Sequence, residues 1–235
     1  MTGRDTIGVI VLVAALASAR SARAERGPLV HPEGPGPGNL RVGVGAQLDV
    51  LPKRVVESEQ RLFPQLFAHL RFGLPVGFSL SVRAAAVVVK NEAEAGVVWG
   101  KRFGRFSFAL ADHVGFSYGL LTVAGFDASS WSFSHKPGIS VGAAFGPHRL
   151  SAAFELLTTF GQRTRLGDAE VVSRREFVVS GQSTVVTFET LLDHGGEVLV
   201  AMGAFYTQPD YQAWIAFADE RSRLLYPRFM VGYVF

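Results

Sequence analysis

Apolar and polar residues alternate strictly between Leu40 and Val50, in the sequence LRVGVGAQLDV. A period of two is typical of a β-strand that has one apolar face and one polar face. Similar stretches recur along the rest of the chain, at 62–74, 78–90, 95–103, 106–120, 131–145, 149–160, 176–192, 197–207 and 223–235. The pattern therefore predicts an all-β protein of about ten strands.

The lengths and spacing of these stretches indicate a membrane rather than a soluble β protein. A strand needs about 9–11 residues to cross a bilayer at a tilt, and many of the stretches are this long. Short turns rich in glycine or proline separate some of them, at 75–77, 104–105, 146–148 and 193–196. Mostly longer and more polar links separate the others, at 52–60, 91–94, 121–130, 161–175 and 208–222.

Short turns on one side and longer loops on the other are typical of barrels in outer membranes. We therefore expect a closed antiparallel up-and-down transmembrane β-barrel, with ten strands preferred in a range of eight to twelve. With an even strand number, both termini lie on the side of the short turns.

Aromatic residues fall at both ends of the predicted outer face, as two interfacial girdles would require. One group flanks the short turns and consists of Phe72, Phe78, Phe103, Phe106 and Phe145. The other lies near the longer links and consists of Tyr118, Trp131, Phe160 and Tyr206. The alternative is a soluble sandwich with these rings packed between two sheets.

The first 24 residues have the pattern of a secretory signal peptide. Arg4 precedes the apolar run IGVIVLVAALA, and two A-x-A sites follow it, of which we favour the one that ends at Ala24. A buried N-terminal helix is the alternative reading. The sequence thus divides into a signal peptide (1–24), a periplasmic leader rich in proline and glycine (25–38) and a barrel (39–235).

Composition excludes several classes of site. The chain has no cysteine, which rules out disulfides and thiolate metal sites. Removing residues 1–24 takes away three arginines and one aspartate, so the formal net charge falls from +3 to +1. No basic stripe with interleaved aromatic residues suggests nucleic acid as a partner. We expect no cofactor, because no phosphate loop, zinc spacing or calcium loop is present.

The C-terminal residues RFMVGYVF resemble the last strand of bacterial outer-membrane β-barrel proteins. In that family the chain ends on an aromatic residue, with apolar or aromatic residues at alternate positions before it. The matching positions here are Phe229, Val231, Tyr233 and Phe235. The resemblance implies an outer-membrane location, outer-membrane lipids as surroundings, and the barrel-assembly machinery as a partner. It covers residues 39–235 as architecture and identifies no subfamily.

The polar faces of the predicted strands supply the candidate lumen residues. They are Arg41, Asp49, His69, Arg71, Arg83, Arg102, His113, Glu155, Glu189 and Arg228. Because a barrel of about ten strands is narrow, its interior is largely filled by side chains. We therefore expect a polar Arg/Glu network that fills the lumen of a non-enzymatic protein with a structural or surface-interaction role. Whether the long loops bind an extracellular ligand is left open.

Two other functions remain as alternatives. A narrow pore lined by an excess of arginine would favour anions. A surface hydrolase is the third hypothesis, for which Asp127, His135 and Asp210 near the long links and the adjacent pair Ser134-His135 are the candidates. Their spacing does not resemble that of the omptin proteases, and Ser134-His135 lacks the order found in outer-membrane lipases.

Asp112 interrupts an otherwise apolar row on the predicted strand 106–120. A carboxylate there would face lipid, which destabilises a barrel. A β-bulge near 111–113 would turn Asp112 into the lumen, where an arginine could pair with it. We therefore include Asp112 among the candidate lumen residues, with a contact to another chain as the alternative.

Overall fold

The computed structural model describes residues 28–52, 62–86, 90–123, 126–193, 195–208 and 223–235. The predicted signal peptide, residues 1–24, lies outside the described residues. Within these ranges, no helix is long and apolar enough to cross a membrane.

Nearly all of the described chain is β-strand. A single 3₁₀ turn, Pro75–Gly77, joins the second and third strands. The strands are β1 Leu40–Val50, β2 Leu62–Gly73, β3 Phe78–Ala86, β4 Lys90–Phe103, β5 Phe106–Val123, β6 Phe126–Phe145, β7 His148–Leu166, β8 Ala169–Arg174, β9 Val178–Leu191, β10 Glu197–Thr207 and β11 Leu224–Val234.

The strands form one closed antiparallel barrel. Each strand from β1 to β7 pairs with the next one in sequence, as do β9, β10 and β11. The pairing of β1 with β11 closes the ring between the two ends of the chain. Within the ring of described strands, closure removes the free sheet edges that hydrocarbon cannot satisfy; β8, which is paired only with β7, lies beyond the ring.

The ring has ten strand positions, as expected from the sequence, although the chain contains eleven strand segments. The same edge of β7 pairs with β9 from His148 to Thr159 and with β8 from Gln162 to Leu166. Because β8 and β9 follow one another along this edge, they share one position in the ring. The short strand β8 therefore extends one end of the barrel and adds no position to its circumference.

The outer face is apolar and the inner face polar. Large apolar side chains alternate outward on every long strand, with examples in Leu80, Leu110, Val141 and Val231, all about half exposed. The aromatic residues of the short-turn end also point outward, including Phe72, Phe78, Phe103, Phe106 and Phe145. Buried residues such as Arg41, Gln65, Ser107 and Glu189 occupy the interior. This is the inverse of a soluble protein and the expected pattern of a transmembrane barrel.

Three of the predicted links are strand instead. Residues 91–94 belong to β4, most of 121–130 belongs to β5 and β6, and most of 161–175 belongs to β7 and β8. Their residues still obey a period of two: in β4, Glu92 and Glu94 are partly buried, whereas the alternating Asn91 and Ala93 are exposed. The sequence interpretation took polar composition as a sign of loops, and it was wrong here because these polar residues line the lumen or extend hairpins past the apolar belt.

Candidate functional site

Residues 28–38 lie inside the short-turn end of the barrel, and we call this segment the plug. Pro28, Leu29, His31 and Pro32 are almost completely buried. At its end the plug joins the wall, where the amide of Gly38 donates to the carbonyl of Gly73 at 2.9 Å. The sequence suggested an extended periplasmic leader for residues 25–38; its described part, residues 28–38, lies within the lumen.

A carboxylate and a guanidinium of the wall hold the backbone of the plug. Glu189 on β9 accepts hydrogen bonds from the amides of Val30 (2.9 Å) and His31 (2.8 Å). Arg71 on β2 donates to the carbonyls of Leu29 (3.2 Å) and His31 (2.9 Å). Buried backbone groups need hydrogen-bond partners. These two side chains supply partners to the backbone of the plug, as a neighbouring strand would in a sheet.

Arg71 is itself held in place, since its Nε donates to the Ser79 hydroxyl on β3 at 2.8 Å. Hydrogen bonds to charged groups are stronger than neutral ones. The plug is therefore attached to opposite parts of the ring by partners that carry formal charge.

The side chain of His31 fixes the middle of the plug. Its Nδ1 accepts the amide of Glu33 at 3.4 Å, and its Nε2 lies 3.3 Å from the Ser107 hydroxyl on β5. With Nδ1 as an acceptor, the ring is neutral and Nε2 carries the proton. Burial lowers the pKa of His31 to about 4, with further repulsion from Arg149, Arg71 and Arg102.

Two wall glycines make room for the plug. A Cβ at Gly100 would stand 2.1 Å from the carbonyl oxygen of Pro32, and a Cβ at Gly73 would stand 2.1 Å from that of Gly36. Both clashes are with backbone, so any side chain at either position would displace the plug. The wall is thus shaped for this segment of its own chain.

Paired charges occupy the remaining lumen. Arg41 donates to Glu197 at 2.7 Å with both side chains fully buried, and Arg149 donates to the other oxygen of Glu197 at 2.9 Å. Arg228 forms a two-point contact with Asp49 and also lies over the ring of Phe205.

A second group of charges crosses the barrel between β3, β4, β6 and β7. Arg83 pairs with Glu94 and Glu155, both at 2.8 Å, and Lys136 pairs with Glu92 at 2.7 Å and with Glu94. Arg83 and Glu94 lie on the neighbouring strands β3 and β4. The contacts of Arg83 with Glu155 and of Lys136 with the two glutamates join strands that are not neighbours in the ring, so the group extends across the lumen.

The lumen charges balance among the described residues. Seven cations, Arg41, Arg71, Arg83, Arg102, Lys136, Arg149 and Arg228, face seven carboxylates, Glu33, Asp49, Glu92, Glu94, Glu155, Glu189 and Glu197. The arginine excess on which an anion preference would depend is not found in the described part of the lumen.

A cavity of about 180 Å³ lies between the plug and these charges. Leu29 and Val30 of the plug form part of its lining, and Arg83, Lys136 and Glu155 form another part. The lumen is therefore closed at one end by the plug and only partly filled beyond it.

The structure brings most of the predicted lumen residues into the interior. Those that face inward are Arg41, Asp49, His69, Arg71, Arg83, Arg102, His113, Glu155, Glu189 and Arg228. Arg102 stands at the rim, where it pairs with Glu33 of the plug at 2.7 Å. The sequence interpretation missed Lys136, Arg149, Glu92, Glu94 and Glu197, and it missed the plug.

Asp112, which we expected to face the lumen, lies on the outer face of the barrel. The pairing of β5 with β4 and β6 runs through residues 111–113 without a bulge. Asp112 is exposed between the outward Leu110 and Val114, and its neighbour His113 is buried inside. Its partner is His135 on β6, at 2.6 Å, so no lumen arginine depends on it.

The hydrolase candidates do not come together. His135 is on the outer face, whereas a side chain at Gly115 would meet the Ser134 hydroxyl on the inner face. Asp127 is exposed near the far end of β6, and Asp210 lies outside the described residues. Within the described ranges, no three His, Asp or Glu side chains are grouped so as to hold a metal ion.

The closed ring, apolar outer face and charged interior define a transmembrane β-barrel that carries part of its own N-terminal region in its lumen. No family model matches the chain, and no curated protein matches it significantly.

Among solved structures, the KdgM porin is 10% identical over 83% of this chain and 98% of its own, with a TM-score of 0.41. The structure of the KdgM porin in complex with disordered oligogalacturonate is 11% identical over the same shares of the two chains, with a TM-score of 0.40. OccK11 of Pseudomonas aeruginosa is 10% identical in sequence over 82% of this chain and 76% of its own, with a TM-score of 0.25. Since these TM-scores are below 0.5, the function has to be argued from the residues of this chain.

Proposed function

We propose that the protein is an integral outer-membrane barrel that is closed at rest, with a structural or surface-interaction role. The observation that carries the proposal is the plug, which Glu189 and Arg71 hold inside the barrel by its backbone. The ion pairs in the lumen support it further, because each of these charged groups of the described residues is matched by an opposite charge.

The outer-membrane location rests on the chain's own surface. The outer face is apolar along every long strand, and closure removes the free edges that hydrocarbon cannot tolerate. The outward row Phe229, Val231 and Phe235, with Tyr233 edge-to-face against Phe235, supports the proposed contact with the barrel-assembly machinery.

A gated narrow channel is the second candidate, and the cavity behind the plug favours it. The plug closes this space at one end through non-covalent contacts, namely hydrogen bonds, packing and the Arg102–Glu33 ion pair, so a displaced plug would lengthen the open lumen. The balanced lumen charge predicts little preference between anions and cations, in contrast to the expectation from sequence.

Conductance of the refolded protein in planar bilayers tests both candidates. We compare the full mature chain, a variant lacking residues 28–38, and Gly100→Ala, whose added methyl collides with the plug backbone. Ala46→Val, on the outer face of β1, is the matched control.

The proposed closed barrel gives no steady conductance for the mature chain or for Ala46→Val. Persistent openings of the unaltered chain would contradict it. If the variants that remove or displace the plug open while the mature chain stays closed, the gated channel replaces the structural role. If they also stay closed, the paired charges alone close the lumen and the structural role stands.

A further inference from the structure

An ionisable pair lies on the outer wall, in the middle of its apolar belt. Asp112 on β5 and His135 on β6 are joined by a 2.6 Å contact between Oδ1 and Nε2. Their side chains are 67% and 36% exposed, respectively, and this exposure is to the outside of the barrel. No lumen group touches either of them among the described residues.

The pair lies too deep for contact with lipid headgroups. Asp112 is six residues from Phe106 and six from Tyr118, which belong to the two aromatic rows. The apolar band of such barrels is roughly 25 Å tall, so the pair lies near its middle. An aspartate side chain is too short to reach either interface, unlike the long side chain of a lysine.

Hydrocarbon cannot satisfy the polar atoms that the pair leaves over. Asp112 Oδ2 and His135 Nδ1 have no hydrogen-bond partner within the described ranges. Buried polar groups without partners are unfavourable, and ionisable residues inside a membrane are rare and functional as a rule. When the two side chains form an ion pair, both ring nitrogens carry protons. Asp112 Oδ2 is then an unused acceptor and His135 Nδ1 an unused donor, and the two stand side by side on the outer wall.

The neighbouring outward side chains allow a close approach. Val97 on β4 is the register partner of Asp112, and Ala95 is that of Val114. Pro137 on β6 pairs with Asp112 from the other side. Small and flat side chains at a membrane interface let two walls come into contact. The outward ring of Phe133, two residues before His135 on β6, borders this area on one side.

We propose that the patch formed by Asp112, His135, Ala95, Val97 and Pro137 is the contact surface for a second copy of this chain. The pair is self-complementary, because about a two-fold axis the Asp112 of each copy faces the His135 of the other. In the ion-paired form, each free carboxylate oxygen then accepts a hydrogen bond from the protonated Nδ1 of the ring opposite. The inference rests on the membrane location in the proposed function and leaves the state of the lumen open.

Cysteine cross-linking in native outer membranes tests the proposal cleanly, because the chain has no cysteine of its own. Val97→Cys places a thiol beside the proposed axis. Val200→Cys on β10, which is similarly exposed on another part of the wall, is the matched control. We expect a cross-linked dimer from Val97→Cys and little from Val200→Cys.

Changes at Asp112 and His135 test whether the cross-link depends on this pair or on chance encounters between barrels. Asp112→Asn or His135→Phe in the Val97→Cys background should lower the cross-linked fraction several-fold. Exchanging the two residues, as Asp112→His with His135→Asp, should restore it, since a two-fold contact needs only one acid and one base in each copy.

Equal cross-linking at both positions, cross-linking to a different protein, or no cross-linking at Val97 overturns the second copy as the occupant. Fractionation of the same cells is read in parallel. A barrel found in the outer membrane without the cross-link overturns this inference alone, whereas a barrel absent from that membrane overturns the proposed function as well.

Discussion

Arg41 and Glu197 meet inside the barrel with no solvent exposure on either side chain. Burying two charges is expensive, and the attraction between them repays this only when further hydrogen bonds complete the arrangement. Arg149 supplies such a bond to the second oxygen of Glu197. The cluster therefore fixes how β1, β7 and β10 are placed relative to one another and adds little to the free energy of unfolding.

Removing either Arg41 or Glu197 should lower the stability of the barrel, because the other charge is then buried without its partner. We expect Glu197→Ala to lower the free energy of unfolding by about 3–5 kcal/mol. The double variant Arg41→Met with Glu197→Leu should lose clearly less, since no unpaired charge remains at the buried position and Arg149 is partly exposed. Reversible urea unfolding in lipid vesicles measures both. A double variant as unstable as Glu197→Ala would contradict this account.

Side-chain alternation was enough to predict which residues face inward, but not which of them meet. Arg41 and Glu197 are 156 positions apart, and their contact exists only because β1 and β10 both flank β11 in the closed ring. Asp112 shows the opposite failure. The alternation placed it outside, and the assumption that lipid would not accept a carboxylate led to a bulge that the structure does not contain.

At the scale of the elements, the plug depends on a backbone held by charges and on a neutral imidazole. The groups around His31 are Glu33 in the plug itself, Arg71 on β2, Arg102 on β4, Ser107 on β5, Arg149 on β7 and Glu189 on β9. Protonation of Nδ1 would remove its bond from the Glu33 amide and place a buried cation beside three arginines.

We expect the plug to loosen in acid. The pKa of His31 is lowered from 6.5 to about 4 when the plug is seated. Its contribution to plug stability is therefore fully present above pH 6.5 and is lost as the pH falls from 6.5 through 4. The loss can reach about 3 kcal/mol, since each pKa unit corresponds to about 1.4 kcal/mol.

Maleimide labelling of a single cysteine introduced as Val30→Cys follows the seating of the plug. Labelling should speed up as the pH falls, after correction for the pH dependence of a free thiol. In a His31→Gln background, the corrected rate should lose most of its change across the same pH range. A corrected rate that is independent of pH in the unaltered background would show that His31 does not control the plug.

The strands and the plug differ in how much their sequences reveal. A strand can be recognised from the two-residue repeat of its side chains, and the predicted bounds of β1, β2 and β10 agree with the structure to within one residue. The plug has no period, because its backbone bonds go to side chains of distant strands. Composition alone led to the interpretation of residues 25–38 as a periplasmic leader rich in proline and glycine. Composition also led us to assign the inward glutamates of β4 to a link.

For the molecule as a whole, closure depends on the last strand, since β11 joins β1 to β10. The amide of Phe235 extends this ladder by donating to the carbonyl of Val42 at 2.8 Å. Its ring faces outward with Phe229 and Val231. A charged residue at this position would stand beside the apolar belt and would also alter the proposed assembly signal.

We therefore expect Phe235→Asp to reduce the amount of folded barrel in the outer membrane without preventing export. Heat-modifiability on gels, together with fractionation, measures the folded and the exported protein separately. Leu225→Asp at the other end of β11 is a control that keeps the terminal residue. Normal outer-membrane levels of Phe235→Asp would exclude a role of this residue in assembly.

The two ends of the barrel should face different compartments. The plug, both chain ends of the ring and the short turns lie together at one end, whereas the hairpin of β7 and β8 extends the other. Gly167 is the tip of this hairpin, and its amide donates to the carbonyl of Asp127 at 2.7 Å. Short turns face the periplasm in such barrels and the extended hairpins face outward.

An epitope tag inserted at Gly167 should therefore bind antibody on intact cells, and the same tag at Gly104, in the turn between β4 and β5, should bind only after permeabilisation. Both glycines have a positive φ and open space around them, so each site tolerates an insertion equally well. Labelling of the Gly104 tag on intact cells, with the Gly167 tag hidden, would invert the orientation. The plug would then close the barrel from the cell surface.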